Sequence, residues 1–330
     1  MGEKVNYPYL KYVEDVLSGK VVAGELVKLA CRRFLSFMDN PNYEFRPEKV
    51  QRIIDFYGDL CHYTGRHAGK PFVLEDWQTL PLAALGFYRK EDNTRLIRQL
   101  YIEMARKQGK TAWASSLCLY ALIADGEWNA EVDLAANNLK QAKICFEMCQ
   151  SFCKSLDPKK KYLQPYRDKI KYPPKLSNLL VFPADASGLD GFNAHLWCLD
   201  EFHAAKDQRL LDVLVSSQGM RENGLGVIIT TAGFDKLGPC YNFRTNCVEV
   251  LHGVKQDDTL FPLIYSLDEG DDWKDENVWI KSNPNLGVTV RKAYLREQVQ
   301  KAINVCPMHS KAKQYQNSGV WNRERFITGP

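Results

Sequence analysis

MARKQGKTAW, residues 104–113, follows an apolar run typical of a β-strand and opens a run typical of a helix. Gly109, Lys110 and Thr111 match the end of the phosphate-binding loop G-x-x-x-x-G-K-[ST], in which backbone N–H groups at a helix N-terminus surround phosphates. In that loop Lys110 would reach the β- and γ-phosphates and Thr111 would hold Mg²⁺. Met104 stands where the pattern has its first glycine. Gly-Lys pairs occur at 19, 69 and 109, and only the last continues to Thr, so a chance match stays open at this point.

A second apolar run, HLWCLDE at 195–201, ends in two carboxylates. An ATP hydrolase needs such a pair beside its phosphate loop, where Asp200 would bind the Mg²⁺ shell and Glu201 would polarise the attacking water. The alternative is a surface pair that caps the next helix. Taken together, a Gly-Lys-Thr between strand and helix and a later strand ending in Asp-Glu predict ATP hydrolysis.

Two further stretches flank these motifs. PFVLEDWQTL, residues 71–80, places Gln78 upstream of the loop, and a Gln amide can pair with adenine through its donor and its acceptor. LGVIITTAG, residues 225–233, ends a third apolar run with Thr230 and Thr231, whose hydroxyls could sense the γ-phosphate. A solvated Gln on an amphipathic helix, and Thr as ordinary strand material, are the alternatives.

Strand-like and helical runs alternate from residue 71 onward, which predicts a parallel sheet with crossover helices. The strand-like runs are RLIRQLYIEMA, VDLAAN, NLLVFPAD, AHLWCLDE and LGVIITTAG. We therefore predict an α/β fold of the P-loop ATPase class with a central, mostly parallel sheet. It would comprise a helical N-terminal segment at 1–70, an ATPase core at 71–255, and a small, lid-like C-terminal subdomain at 256–330, acidic and irregular before it turns helical.

Composition excludes some classes of protein. With 44 basic and 40 acidic residues, the net charge of +4 is too small to indicate nucleic-acid binding. The longest uncharged run, 111–124, has 14 residues, whereas a membrane span takes about 20. The N-terminus has no apolar segment typical of a secretory signal. We expect no membrane partner, and reduced thiols for the ten cysteines.

Clustered cysteines and histidines are candidate metal ligands. Cys145, Cys149 and Cys153 would share one face of a helix, where small apolar packing is the favoured interpretation and a zinc site the alternative. His62 and His67 lie near Cys61 and are interpreted in the same way.

Residues 154–175 form the most basic stretch of the chain, with eight basic and two acidic residues and three interleaved tyrosines. Lys159, Lys160 and Lys161 are its candidate contacts to DNA phosphates. A solvated loop is the alternative.

The order FxLxDWQ, ARKQGKT, GLDGFNAHLWCLDEFHA, GLGVIITTAG and SNPNLG resembles the large terminase subunit of tailed bacteriophages, the ATPase motor that packages viral DNA into a procapsid. The resemblance runs from about residue 72 to the C-terminus. The family's own phosphate-binding loop also departs from the usual pattern and has an Arg early in it. The resemblance implies that Gln78 is the glutamine of the adenine motif, that Asp200 binds the metal and that Glu201 is catalytic. The ATP-binding loop that it implies consists of Arg106, Lys107, Gln108, Gly109, Lys110 and Thr111, and Arg106 is also catalytic. The implied motif that couples hydrolysis to movement is Thr230, Thr231 and Ala232.

The resemblance also implies ATP and Mg²⁺ as cofactors and the host cytoplasm as location. Implied partners are double-stranded DNA, a portal protein, the small terminase subunit and further copies in a ring on the portal. An arginine from a neighbouring subunit would complete the site, and Arg209 and Arg221 are candidates, with a surface ion pair as the alternative for either.

One departure concerns the nuclease domain that follows the ATPase in full-length large terminases. Beyond the acidic loop at 268–276 we find no strand-borne set of carboxylates, so we expect no nuclease domain and no nuclease activity in this chain, with an interdomain linker at 321–325. A helicase-like ATPase of another family, a small-molecule kinase and a nucleotide-binding scaffold remain as alternatives. ATP hydrolysis without an acceptor would distinguish the motor from the kinase.

Overall fold

A computed structural model describes residues 7–62, 68–182, 191–233 and 235–305 of the protein. The helices in these ranges are α1 (Pro8–Leu17), α2 (Glu25–Asp39), α3 (Pro47–Gly58), α4 (Asp76–Ala84), α5 (Lys110–Ile123), α6 (Leu139–Leu156), α7 (Arg209–Ser216), α8 (Pro239–Leu251) and α9 (Lys292–Val305). The strands are β1 (Tyr43–Phe45), β2 (Phe87–Arg89), β3 (Gln99–Glu103), β4 (Glu131–Ala136), β5 (Gln164–Pro165), β6 (Lys169–Tyr172), β7 (Ser177–Phe182), β8 (Leu196–Asp200), β9 (Leu225–Thr230) and β10 (Leu260–Ile264).

Eight of the strands form one sheet in the order β10-β3-β9-β8-β4-β7-β6-β5. The six strands from β10 to β7 run parallel, and β6 and β5 continue the sheet antiparallel. Strands β8, β9 and β10 are buried at every position, as expected for strands covered by helices on both faces. The predicted α/β class with a mostly parallel central sheet is confirmed.

The sheet order brings the predicted motifs to one edge. Strand β3, which precedes the phosphate loop, pairs with β9, and β9 pairs with β8. In a parallel sheet the carboxyl ends of neighbouring strands meet at the same edge, and ligands of α/β proteins bind there. The Asp-Glu pair after β8 and the Thr pair at the end of β9 therefore lie beside the loop that follows β3.

The described part of the N-terminal segment is mostly helical and packs directly onto the sheet. Helix α2 contacts β10, and α1 contacts α4, so the segment covers one end of the sheet. Strand β1 pairs antiparallel with β2. The rings of Phe34, Phe45 and Phe87 pack against one another between these elements, with centroids 4.8–5.8 Å apart.

The sheet extends past the boundary at residue 255 that the sequence predicts. Strand β10, Leu260–Ile264, pairs in parallel with β3 over its whole length. The core therefore includes part of the segment that we expected to form a separate subdomain. The acidic stretch is a loop, in which Lys281 bridges Asp268 and Asp271 at 2.9 and 2.8 Å, and the helical end is α9.

The three α6 cysteines are buried and pack inward, as the favoured interpretation has it. Among the described residues, no three His, Cys, Asp or Glu side chains are placed to hold a metal ion. His62 stacks on Phe72 with a centroid separation of 4.8 Å, and His67 lies outside the described residues. No described helix combines the length and apolarity that crossing a membrane requires.

Candidate nucleotide-binding site

The loop between β3 and α5 has the backbone of a phosphate cradle. Gly109 precedes the first residue of α5 with a φ of +85°, and Lys107 also has a positive φ of 65°. The left-handed conformation at Gly109 is one that glycine adopts without strain. Met104 is 1% exposed and its side chain belongs to the core, so the first glycine of the usual pattern has no counterpart in the open part of this loop.

Lys110, the first residue of α5, is buried beneath the loop. Its Nζ donates to the carbonyl oxygens of Met104 and Ala105 at 3.2 and 2.9 Å. Burial lowers the pKa of Lys110 to about 8, although Glu201 and Asp200 partly oppose that shift. The ammonium group is thus held where phosphates would meet the N-terminus of α5.

Asp200, the last residue of β8, faces the second residue of α5. Thr111 Oγ1 donates to Asp200 Oδ2 at 3.4 Å. Oδ1 of Asp200 is buried and has no hydrogen-bond partner in the described part of the chain. Burial raises the pKa of Asp200 to about 8, and Cys145 and Glu201 add to the shift. An unpaired carboxylate oxygen beside a hydroxyl fits Mg²⁺, which takes oxygen ligands and is commonly bound through one or two protein groups and substrate phosphates.

Glu201 follows in a left-handed backbone conformation, with a φ of 55°. Its N–H donates to the carbonyl of Ile229 at 2.9 Å, and its carbonyl accepts from Nδ2 of Asn137 at 2.7 Å. Its Oε2 lies 3.0 Å from Nδ1 of His203. Burial alone would raise the pKa of Glu201, but His203, Lys110 and Arg106 outweigh it and hold this pKa below its usual value. The carboxylate is therefore ionised at neutral pH.

The predicted coupling motif contacts the turn that carries His203. Thr230 Oγ1 accepts the backbone N–H of His203 at 2.9 Å, and Thr231 and Ala232 are buried beside it. The sequence motifs did not single out His203 or Asn137. The signal available for Asn137 was its place directly after β4, a neighbour of β8 in the same sheet.

Gln78 occupies the third position of α4, at the side of the loop. Its Oε1 accepts the backbone N–H of Glu75 at 2.8 Å in a capping box, and its carbonyl accepts from Nε1 of Trp113 at 3.1 Å. A Cβ on Gly109 would lie 3.9 Å from its Nε2, so that group faces the loop. In this conformation the amide N–H, rather than both edges of the amide, is available to a base.

A segment at 282–289, which includes all of SNPNLG, is bound to the phosphate loop. Gln108 is fully buried, and its Nε2 donates to Oδ1 of Asn283 at 3.0 Å. The N–H of Asn285 donates to Oε1 of Gln108 at 2.8 Å, and its Nδ2 donates to the carbonyl of Gln108 at 2.7 Å. Thr289 Oγ1 donates to the carbonyl of Lys107 at 2.6 Å. The family resemblance includes this segment, but the sequence alone indicated no role for it.

The remaining predicted residues lie apart from this cluster or at its rim. Arg106 is exposed on the loop. Arg209 is exposed at the start of α7 and paired with Asp207 at 2.6 Å. Arg221 donates to Glu127 at 2.7 Å and to two backbone carbonyls, so its guanidinium holds the fold together. We therefore withdraw Arg221 as a candidate arginine for a neighbouring subunit.

The three candidate DNA-contacting lysines are exposed in the loop after α6. The carboxylate of Asp157 accepts the backbone N–H groups of Lys161, Tyr162 and Leu163 at 2.6–3.0 Å, which orders the loop. Strands β9, β8 and β4 separate β3 from the β7-β6-β5 end of the sheet that follows this loop.

Comparisons with known proteins identify the family. Residues 76–248 match the family model described as terminase large subunit, ATPase domain. The terminase large subunit of Lactococcus phage p2 is 21% identical over 255 residues, which are 74% of this chain and 46% of that protein. Protein YmfN of Escherichia coli strain K12 is 42% identical over 115 residues, 35% of this chain and 25% of YmfN.

The HK97 bacteriophage large terminase has the same fold, with a TM-score of 0.70 at 20% identity. The match covers 82% of this chain and 54% of that one. The chain therefore spans about half of the HK97 and Lactococcus phage proteins and about a quarter of YmfN.

A second family model, terminase large subunit endonuclease domain, matches residues 254–325. The expectation that the chain contains nothing of that domain is therefore wrong. In the described part of this region, 254–305, the structure shows β10, the acidic loop and α9, and the described residues contain no metal-holding cluster of the kind that two-metal cleavage needs. Because the first model covers more than half of the chain, this protein belongs to the terminase large subunit family and carries its ATPase domain.

Proposed function

We propose that this chain binds ATP with Mg²⁺ and hydrolyses it, as the motor domain that drives double-stranded DNA into a procapsid. The observation that carries the proposal is the meeting of Lys110, Thr111, Asp200 and Glu201 at the carboxyl edge of the sheet. The two chain segments that supply them lie about 90 residues apart in the sequence. Such a set matches the requirements of ATP hydrolysis, which are phosphate binding, metal binding and activation of water.

Each side chain has a distinct role in this proposal. Lys110 would exchange its hydrogen bonds to the loop carbonyls for bonds to the β- and γ-phosphates. Thr111 and Asp200 would hold Mg²⁺, which supplies charge neutralisation on the phosphates when bound. Glu201, ionised and next to this position, would orient the attacking water and accept its proton. Arg106, Lys107, Gln108 and Gly109 complete the loop, and Gln78 would donate its N–H to the adenine.

Transport of DNA and the assembly around it extend the proposal. The portal protein, the small terminase subunit and further copies of this chain in a ring are the proposed partners, and the host cytoplasm is the proposed location. Thr230, Thr231 and Ala232 would couple hydrolysis to movement. Arg209, exposed and 8 residues beyond the catalytic pair, is the remaining candidate for an arginine supplied to a neighbouring subunit.

Paired substitutions test the catalytic part. We expect Glu201→Gln to bind nucleotide with parental affinity and to lose roughly 10²–10⁴-fold in turnover. Lys110→Ala should lose nucleotide affinity, since it removes the charge facing the phosphates. Glu222→Gln, which changes an exposed carboxylate, is the matched control and should behave like the parent. Nucleotide titration and phosphate release without any added acceptor are the measurements.

The result also decides between the alternatives. Phosphate release with water as the sole acceptor supports a hydrolase and counts against a small-molecule kinase. Turnover by Glu201→Gln at the parental rate would show that the catalytic residue has been misassigned.

A further inference from the structure

His203 lies between the catalytic carboxylate and the coupling motif. It sits in a short 3₁₀ turn, Phe202–Ala204, directly after Glu201, and its side chain is 11% exposed. Its Nδ1 lies 3.0 Å from Glu201 Oε2, and 3.3 Å from both Thr230 Oγ1 and Thr231 Oγ1. One ring nitrogen therefore faces three oxygen atoms that belong to the two motifs.

The oxygen atoms around this nitrogen favour a proton on it. An ionised carboxylate such as that of Glu201 only accepts hydrogen bonds. The hydroxyl of Thr230 donates its single proton to the carbonyl of Thr231 at 2.9 Å and accepts the N–H of His203. Toward Nδ1 the carboxylate and the Thr230 hydroxyl act as acceptors, and the Thr231 hydroxyl can accept as well, so a proton on Nδ1 satisfies all three contacts.

We propose that His203 is a positioning residue. Its Nδ1–H holds the side chain of Glu201 in one position or releases it toward the attacking water, according to the state of the Thr230–Thr231 motif. This inference rests on the proposed function. When Glu201 turns toward water, the Nδ1–H keeps an acceptor in a threonine hydroxyl, so no buried donor is left unpaired. The exchange therefore avoids the penalty of an unsatisfied buried donor.

Two observations favour a switch over simple packing. Among the described residues, the buried Oε2 of Glu201 has no hydrogen-bond partner, and its 3.0 Å contact with Nδ1 of His203 is a charge contact, so no hydrogen bond opposes its turn toward water. The turn also lies against the coupling motif, since a Cβ on Gly233 would come within 3.2 Å of Cβ of His203. A displacement of residues 230–233 would therefore directly change the position of His203.

Two amide substitutions separate positioning from packing. His203→Asn places an amide N–H at the position of Nδ1, whereas His203→Gln places it one bond further out. We expect Asn to retain most of kcat and Gln to lose about tenfold or more, because a misplaced base forfeits part of the roughly 10²–10⁴-fold that such a group contributes. KM for ATP should change little in either variant. Thermal unfolding of both variants checks that the fold is intact.

The ring protonation gives a second readout that needs no turnover. In protein labelled with ¹⁵N histidine, we expect the Nδ1 signal that disappears in His203→Asn to be that of a protonated nitrogen. An unprotonated Nδ1 would overturn the inference, as would equal kcat losses in Asn and Gln or parental kcat in both. If the parent hydrolyses no ATP, the proposed function fails, and the nitrogen signal still decides whether the His203 contact exists.

Discussion

At the scale of single residues, a buried acidic group and a buried basic group share the site. Lys110 and Asp200 both have a pKa of about 8, the first lowered and the second raised by burial. In both cases burial disfavours the charged form. Binding of a metal–nucleotide complex requires both charged forms, because the cation needs the carboxylate and the phosphates need the ammonium group.

Nucleotide binding should therefore move protons, with a sign that depends on pH. At about pH 7, below both pKa values, Asp200 is mostly protonated and Lys110 mostly charged, so binding releases a proton from Asp200. At about pH 9 Asp200 is already ionised and Lys110 mostly neutral, so binding takes up a proton at Lys110. Calorimetric titration with Mg²⁺ and a non-hydrolysable ATP analogue, in buffers of different ionisation enthalpy, measures the number of protons released or taken up at each pH.

Variants assign the two proton transfers to their residues. Asp200→Asn should abolish the release at the lower pH and keep the uptake at the higher one. Asp272→Asn changes an exposed carboxylate outside the site and should match the parent. A proton number that stays the same across this pH range in the parent would contradict the assigned pKa values.

At the scale of elements, the phosphate loop depends on a distant segment for its shape. Segment 282–289 satisfies the buried amide of Gln108 and also the ring nitrogen of Trp77, which donates to Oδ1 of Asn285 at 2.5 Å. Lys107 adds a cation–π contact to Tyr294 in α9 at 4.9 Å. The loop is thus fixed between the sheet and the C-terminal segment, and a change in loop shape would reach α9 through these bonds.

Removing the Asn285 amide should weaken both folding and nucleotide binding. Asn285→Ala leaves the carbonyl of Gln108 and Nε1 of Trp77 without these partners in the interior, and each unsatisfied group costs about 1–3 kcal/mol. We expect the free energy of unfolding to fall by about 2–4 kcal/mol and the nucleotide Kd to rise. Asn304→Ala, on the exposed face of α9, is the control. Denaturant unfolding and nucleotide titration that leave Asn285→Ala indistinguishable from Asn304→Ala would refute this role.

The elements that the sequence predicts well are those with a local signal. Strands β3, β8 and β9 are apolar runs, and the residues proposed for catalysis lie at or near their ends, so pattern and position coincide. Strand β10 was missed because Pro262 interrupts its pattern. It lies at the edge of the sheet, where one side of the strand needs no ladder partner and Pro is tolerated.

Contacts between neutral side chains far apart in the chain had no such signal. Gln108 and Asn285 are 177 positions apart, and neither periodicity nor charge marks them as partners. His203 follows the predicted carboxylates closely, but its contact with Thr230 depends on the pairing of β8 with β9, which the sequence alone did not establish. For Arg221 the sequence suggested a role between subunits, and only the structure reveals that its guanidinium already donates to Glu127 and to two backbone carbonyls.

At the scale of the whole molecule, the two ends of the sheet differ. Helices α2 and α8 pack against β10 at one end. At the other end, β6 and β5 carry part of the basic stretch 154–175, with exposed Lys159, Lys160 and Lys161 in the loop before them. Lysines near an open edge strand have an alternative use, because they discourage pairing with strands of other molecules. DNA contact and edge protection predict different behaviour when the lysines are removed.

If the three lysines contact DNA phosphates, their joint replacement by Ala should weaken binding to duplex DNA in a salt-dependent manner. Removing the partner of one phosphate should reduce the steepness of log K against log salt concentration by about 0.9, with little dependence on base sequence. A control that replaces the exposed Lys49, Lys90 and Lys255 removes the same net charge elsewhere. Fluorescence anisotropy over a salt series measures the slopes, and size-exclusion chromatography reports self-association. A triple variant with an unchanged slope and increased self-association would assign these lysines to edge protection and remove them from the DNA path.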